Sequence, residues 1–334
     1  MTRDPVRAIA DAVLYEGYIL WPYRRSALKN QRRFTFGGVY PPAHSRDHAD
    51  DPSSMRTEVV LVDHGEARVR VAVRFLQVVR RAAAWRRGGG ELDEVDELTV
   101  NGERYTTWEE ATEREIETGP VALTVLAGHP RRIPIAVAAG RESEELAGGS
   151  AALVRSWEAL DGRLEVSAAR LPDTGAWRVT VQIDNHTRFR GGSREDALAQ
   201  TFCSTHTTLH APGGSFVSLA DPPESLRDAA AACRNAGTWP VLVGEPSQRS
   251  TMLSSPIILE DYPRVAPESP GDLFDGGEID QLLVLNILAL TDEEKAEMAA
   301  SDPRAKEILE RTEALTPEQL MALHGTIREF GMAR

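Results

Sequence analysis

From Val69 to Phe75 every second residue is apolar (Val69, Val71, Val73, Phe75), and the residues between them are Arg70, Ala72 and Arg74. The alternation returns at Trp177, Val179, Val181 and Ile183, set against Arg178, Thr180, Gln182 and Asp184. A period of two gives a strand one buried face and one wet face, the mark of antiparallel sheet covered on one side. The chain must therefore bury at least two such faces against each other or against helices. Its 334 residues, 41% of them hydrophobic, suffice for one large core or two ordinary ones.

Turn residues place the neighbouring elements. His64-Gly65, between apolar runs at 58–62 and 67–79, predicts a hairpin with one basic face. Asp161-Gly162 and Asp173-Thr174-Gly175 predict a meander of strands near 152–160, 163–170 and 176–184. Residues 5–16 have apolar side chains at helical spacing, and the charged stretch from Trp108 to Ile116 reads as a further helix. Between Ala43 and Arg56 nothing is periodic, which predicts a mobile surface loop. Pro222-Pro223 and Gly237 bracket a helix through Cys233, and "SSPIILEDYP" reads as a buried strand ending in polar residues. Helices then take over. Glu278 to Leu290 has an apolar stripe, and Thr291-Asp-Glu-Glu, Ser301-Asp302-Pro303 and Thr316-Pro317-Glu318 are helix starts. The expected fold is α+β, with an antiparallel, sandwich-like sheet body and a helical C-terminal segment. It divides as 1–56, an N-terminal helix with an aromatic and basic segment and loop; 57–220, rich in antiparallel strand; and 221–334, α-rich and acidic, either packed on the same core or apart from it.

Charge is unevenly spread. The chain carries −13, and residues 257–334 alone hold 17 Asp/Glu against 7 Lys/Arg, a net −10. Residues 17–42 contain no acid; there Tyr18, Trp21, Tyr23, Phe34, Phe36 and Tyr40 are interleaved with Arg24, Arg25, Lys29, Arg32 and Arg33. Pro22, Gly37, Gly38, Pro41 and Pro42 keep this segment extended or looped. Rings and forked cations are what a binding surface is made of. Tyr18, Trp21, Tyr23, Arg24, Arg25, Lys29, Arg32, Arg33, Phe34 and Phe36 are thus the candidate binding residues. The alternative is internal: rings filling a core while the arginines clasp the acidic C-terminal helices. The net charge argues against a nucleic-acid partner, since the whole chain repels polyanions.

Several chemistries are excluded by pattern. There is no phosphate-cradling G-x-x-x-x-G-K-[ST], no G-x-G-x-x-G, no G-x-S-x-G and no H-E-x-x-H. Cys203 and Cys233 are too few for a disulfide scaffold or a thiolate cluster and read as free, buried thiols. His206 and His210 sit among threonines that favour strand, where four residues span about 13 Å, too far to share one ion directly. "GDLFDGGEID", with Asp272, Asp275, Glu278 and Asp280, lacks the spacing of a calcium loop and reads as a turn and helix start. No metal or cofactor follows. No apolar run approaches the ~20 residues of a membrane helix. Acidic residues at positions 4, 11 and 16 are unlike a secretory leader, so the expectation is a cytoplasmic protein without a membrane span.

Four stretches, "LYEGYILWPYRRSALKNQRRFTFGGVYP", "GTWPVLVG", "MLSSPIILEDYPRVAPESPGDLFDGGEIDQLL" and "ILERTEALTPEQLMALHG", resemble those of an uncharacterised bacterial protein family. That family is encoded near high-affinity, actinobacterial-type nickel–iron (NiFe) hydrogenases. The resemblance covers the first forty residues and most of the last hundred and thirty; it carries over no catalytic residue. The chain lacks the C-x-x-C pairs of hydrogenase subunits and the nucleotide loop and His-rich tract of metal-insertion factors. Charge segregation and the absence of reaction motifs point to a non-enzymatic accessory or assembly protein that binds a protein client through the aromatic and basic segment, and the resemblance implies that the client is a hydrogenase subunit; a homo-oligomer is left open. The alternative is an enzyme of unfamiliar type with a Cys/His/carboxylate site around Cys203, His206 and His210.

Overall fold

A computed structural model describes residues 5–24, 27, 29–30, 33–34, 36–88, 90–172, 174–264, 273–274, 280–316 and 319. In chain order the elements are α1 (Pro5–Tyr15), α2 (Pro42–Ser45), β1 (Ser54–Asp63), β2 (Arg68–Arg86), β3 (Leu92–Val95), β4 (Glu97–Val100), β5 (Glu103–Thr106), β6 (Trp108–Glu117), β7 (Val121–Ala122), α3 (Leu123–Gly128), β8 (Arg131–Val137), β9 (Gly140–Leu146), β10 (Ala151–Trp157), β11 (Leu160–Arg170) and β12 (Ala176–Asn185). There follow α4 (Arg194–Leu198), β13 (Cys203–His210), β14 (Gly214–Phe216), α5 (Arg227–Ala231), β15 (Trp239–Leu242), β16 (Thr251–Ser255), α6 (Asp280–Leu288), α7 (Asp292–Ser301) and α8 (Pro303–Glu313).

The two alternating stretches lie on facing sheets. One sheet runs β14-β1-β12-β11-β8; the other is organised on β2, with β13 and β10 along one flank and β7, β6 and β3 along the other. Val69, Val71, Val73 and Phe75 meet Trp177, Val179, Val181 and Ile183 in one core between the sheets. All pairing is antiparallel, and the fold is α+β with a sheet-rich body and C-terminal helices, as the alternation requires.

Several local expectations are corrected. β1 and β2 are not a hairpin: β1 pairs with β12 and β14, β2 with β13, β6 and β10. Residues 64–67 carry the chain between the sheets, and the Asp63 carboxylate accepts from the amides of Gly65 (2.9 Å) and Ala67 (3.0 Å). Both apolar faces enter one core by this corner, which pairing side by side would not achieve. β10 likewise belongs to the β2 sheet, and Asp161-Gly162 lies inside β11, where Gly162 pairs with Asn185. The β11–β12 hairpin is as expected.

Trp108 to Ile116 is strand β6, not helix: it lies along β2 from Ala72 to Arg81, and Glu110, Glu113 and Glu115 find Arg81, Arg74 and Arg7 there. Residues 43–56 are no plain loop, since α2 and the start of β1 fall in them and His44 is buried. The helix expected through Cys233 stops at Ala231. The strand expected in "SSPIILEDYP" ends at Ser255, leaving Ile258 73% exposed.

The second core lies on the outer face of the β2 sheet. Leu76, Val78, Trp108 and Cys203 from the sheet, Leu14, Tyr18, Ile19, Tyr23 and Phe34 from the N-terminal stretch, and Leu283, Ile287, Met298, Ile308 and Leu309 from the last helices form one cluster. α7 starts with the reciprocal Thr291–Glu294 capping box, and α8 with Asp302 as its cap. No helix among the described residues is long and apolar enough to cross a membrane.

Candidate functional site

Most of the described aromatic and basic residues of 17–42 turn inward. Tyr18, Tyr23 and Phe34 are buried, and so is Arg33. Its guanidinium lies 3.8 Å from the centre of the Trp108 ring and donates to the carbonyls of Tyr18 (2.9 Å) and Glu109 (2.6 Å). Burial lowers the pKa of Arg33, opposed by nearby Tyr18 and Glu109. The Tyr18 hydroxyl donates to Asp302 (2.7 Å), the Trp108 indole donates to the same carboxylate (3.3 Å), and the Tyr23 hydroxyl donates to the Leu273 carbonyl (2.6 Å). Burial raises the pKa of both Tyr18 and Asp302. Tyr23 and Phe34 both hold φ +57°, a conformation that costs an ordinary side chain about 1 kcal/mol; ring burial offsets it.

Arg24 reaches α7, 2.9 Å from Glu294 and 3.9 Å from Glu297. Trp21 is half-buried against the second core, and Lys29 is exposed. Arg25 and Arg32 lie outside the described residues. The inward alternative thus accounts for Tyr18, Tyr23, Arg33 and Phe34, and the clasp onto acidic helices for Arg24. Phe36 alone of the described rings in the segment is largely open, at 41% exposure.

The Cys/His cluster is sealed. Cys203 and His206 are fully buried on β13, on either side of a bulge at Ser204. Burial pushes the Cys203 thiol up to about 12 and the His206 imidazole down to about 3. Cys203 Sγ is 3.8 Å from the Thr201 carbonyl, and His206 Nδ1 is 3.2 Å from that of Ser204. His210, exposed at the strand's end, bonds to Thr251 instead (3.0 Å). Asp261 accepts from the Leu242 amide (2.8 Å), while Asp272, Asp275 and Glu278 of the acidic turn lie outside the described residues. Both thiols are free, Cys233 only half-buried.

Among the described residues, two clefts bear on a binding role. The larger, about 480 Å³, lies between α1, β2, β6 and β13. Each of its arginines is matched: Arg7 with Asp11 and Glu115, Arg70 with Glu117, Arg74 with Asp11 and Glu113. The smaller, about 210 Å³, has Phe36, Gly37, Gly38, Asp50, Asp51 and Trp239 in its walls. Gly37 is at φ +56°, and a Cβ there would fall 2.7 Å from Pro256, so the wall requires glycine. Trp239, 45% exposed, and the two aspartates were not marked by sequence reasoning; a tryptophan opening a strand carries no periodic signal that it faces outward. No family model matches this chain, and no curated protein matches it.

Proposed function

We propose that this chain is a non-enzymatic accessory protein that binds a protein client, and that the client is a subunit of a NiFe hydrogenase, as the resemblance of its terminal stretches implies. The observation that carries the reading is the pair of open rings, Phe36 and Trp239, lining one cleft at the surface end of the N-terminal segment. Open aromatics beside a concavity are the usual anchors of a protein interface. The contact surface is therefore the outer rim of the segment, and its buried part is the support. Against the enzyme reading stands the burial of Cys203, which pushes its thiol up to about 12 and so disfavours the thiolate that a nucleophile needs.

Co-expression of the tagged chain with the hydrogenase large or small subunit tests this. The expected result is a complex that survives size-exclusion chromatography and weakens about tenfold or more on Trp239→Ala. No complex with either subunit, or one indifferent to Trp239→Ala and Phe36→Ala together, would remove the proposal. Iodoacetamide should leave Cys203 unmodified in the folded protein; rapid alkylation would restore the enzyme alternative.

A further inference from the structure

We infer that the cleft beside Phe36 receives a basic side chain, arginine or lysine, projecting from the client. The inference rests on the client-binding reading and names the chemistry of the contact. Among the described residues that line the cleft there are two carboxylates, Asp50 and Asp51, and no Lys, Arg or His. This sets it apart from the larger cleft, whose arginines and acids already neutralise one another.

Asp51 has one carboxylate oxygen committed to His44 Nε2 at 2.8 Å, which fixes its position. Asp50 is exposed, with no ion pair among the described residues. The guanidinium of Arg194 is occupied with the hydroxyl of Tyr40 (2.8 Å), a ring that is itself buried in the cleft wall. A cation entering the cleft would have the rings of Phe36 and Trp239 and two carboxylates in its walls, groups that attract positive charge and accept from its N–H groups. An anion would meet two like charges, and a purely apolar side chain would cover Asp50 without giving it a partner. The overall charge of −13 favours approach of a basic patch from a distance.

The test uses short blocked peptides in place of the client: acetyl-Gly-Arg-Gly-amide, its lysine analogue, and its citrulline analogue, which keeps the shape of arginine without its charge. The readout is the indole resonance of Trp239 in the ¹⁵N-labelled full chain, assigned by its absence from Trp239→Phe. Saturable, weak binding of a basic peptide is expected, about fivefold or more tighter than citrulline and weakened similarly by Asp50→Asn. A lysine peptide equal to arginine assigns the site to charge; a preference for arginine assigns it to ring stacking as well. Citrulline binding as tightly as both basic peptides, no saturable shift with any of them, or an Asp50→Asn variant that binds like wild type would overturn the inference. Because no client is present, such a failure leaves the complex with a hydrogenase subunit standing. Loss of that complex with peptide binding intact would remove only the functional reading.

Discussion

Arg33 shows what single residues do in this molecule. Its charge is enclosed, its plane lies on Trp108, and its fork joins the carbonyls of Tyr18 and Glu109, tying the N-terminal segment to β6. Lysine has one compact charge and no plane, so Arg33→Lys should lower unfolding free energy by about 2 kcal/mol, and Arg33→Ala by about 3 kcal/mol or more, as read from urea midpoints. His206 gives a pH signature. In the folded chain it titrates near 3 against an ordinary 6.5, so between these values the unfolded chain binds more protons. Its contribution is complete above pH 6.5 and is lost as pH falls toward 3, at up to about 1.4 kcal/mol per pH unit. His206→Gln should flatten that slope in denaturation curves taken from pH 6 to pH 4; an unchanged slope would mean His206 is not held neutral. The composition of 17–42 was legible in the sequence, but its direction was not. The rings and guanidiniums that suit an interface suit an interior equally well when backbone carbonyls and a tryptophan stand ready to receive them.

At the scale of elements, the sequence showed the strands around Val69–Phe75 and Trp177–Ile183 through their apolar faces, and it showed α7 and α8 through their caps. It misplaced β6 because charges on both faces hide a period of two, and the arginines of β2, α1 and β10 that meet them explain why so many glutamates line one strand. It joined β1 to β2 because a hairpin and a corner between sheets use the same turn residues. Arg81 shows how far such links reach: buried on β2, it pairs with Glu110 (2.8 Å) and donates to the Ser301 carbonyl that ends α7 (2.9 Å). In β11, a Cβ at Gly162 would lie 2.5 Å from the Asp184 carbonyl and 2.7 Å from the Phe202 ring. Gly162→Ala should therefore destabilise by about 1 to 3 kcal/mol, measured as a lower thermal midpoint.

For the molecule as a whole, the three stretches read from the sequence, 1–56, 57–220 and 221–334, are not separate in their packing. The second core draws side chains from all of them. Tryptophan fluorescence and far-ultraviolet circular dichroism should accordingly report coincident urea transitions. An early transition confined to helical signal would show that α6 to α8 melt apart from the sheets.

The link between Tyr18 and Asp302 has a further consequence. The two residues are 284 positions apart, and Arg24 and Glu294 are 270 apart. During synthesis at about 5 to 20 residues per second, the N-terminal rings emerge from the ribosome roughly 15 to 55 s before the partners that enclose them. For that interval the most aromatic part of the nascent polypeptide is uncovered, and a chaperone that shields it would determine how much of the product escapes aggregation.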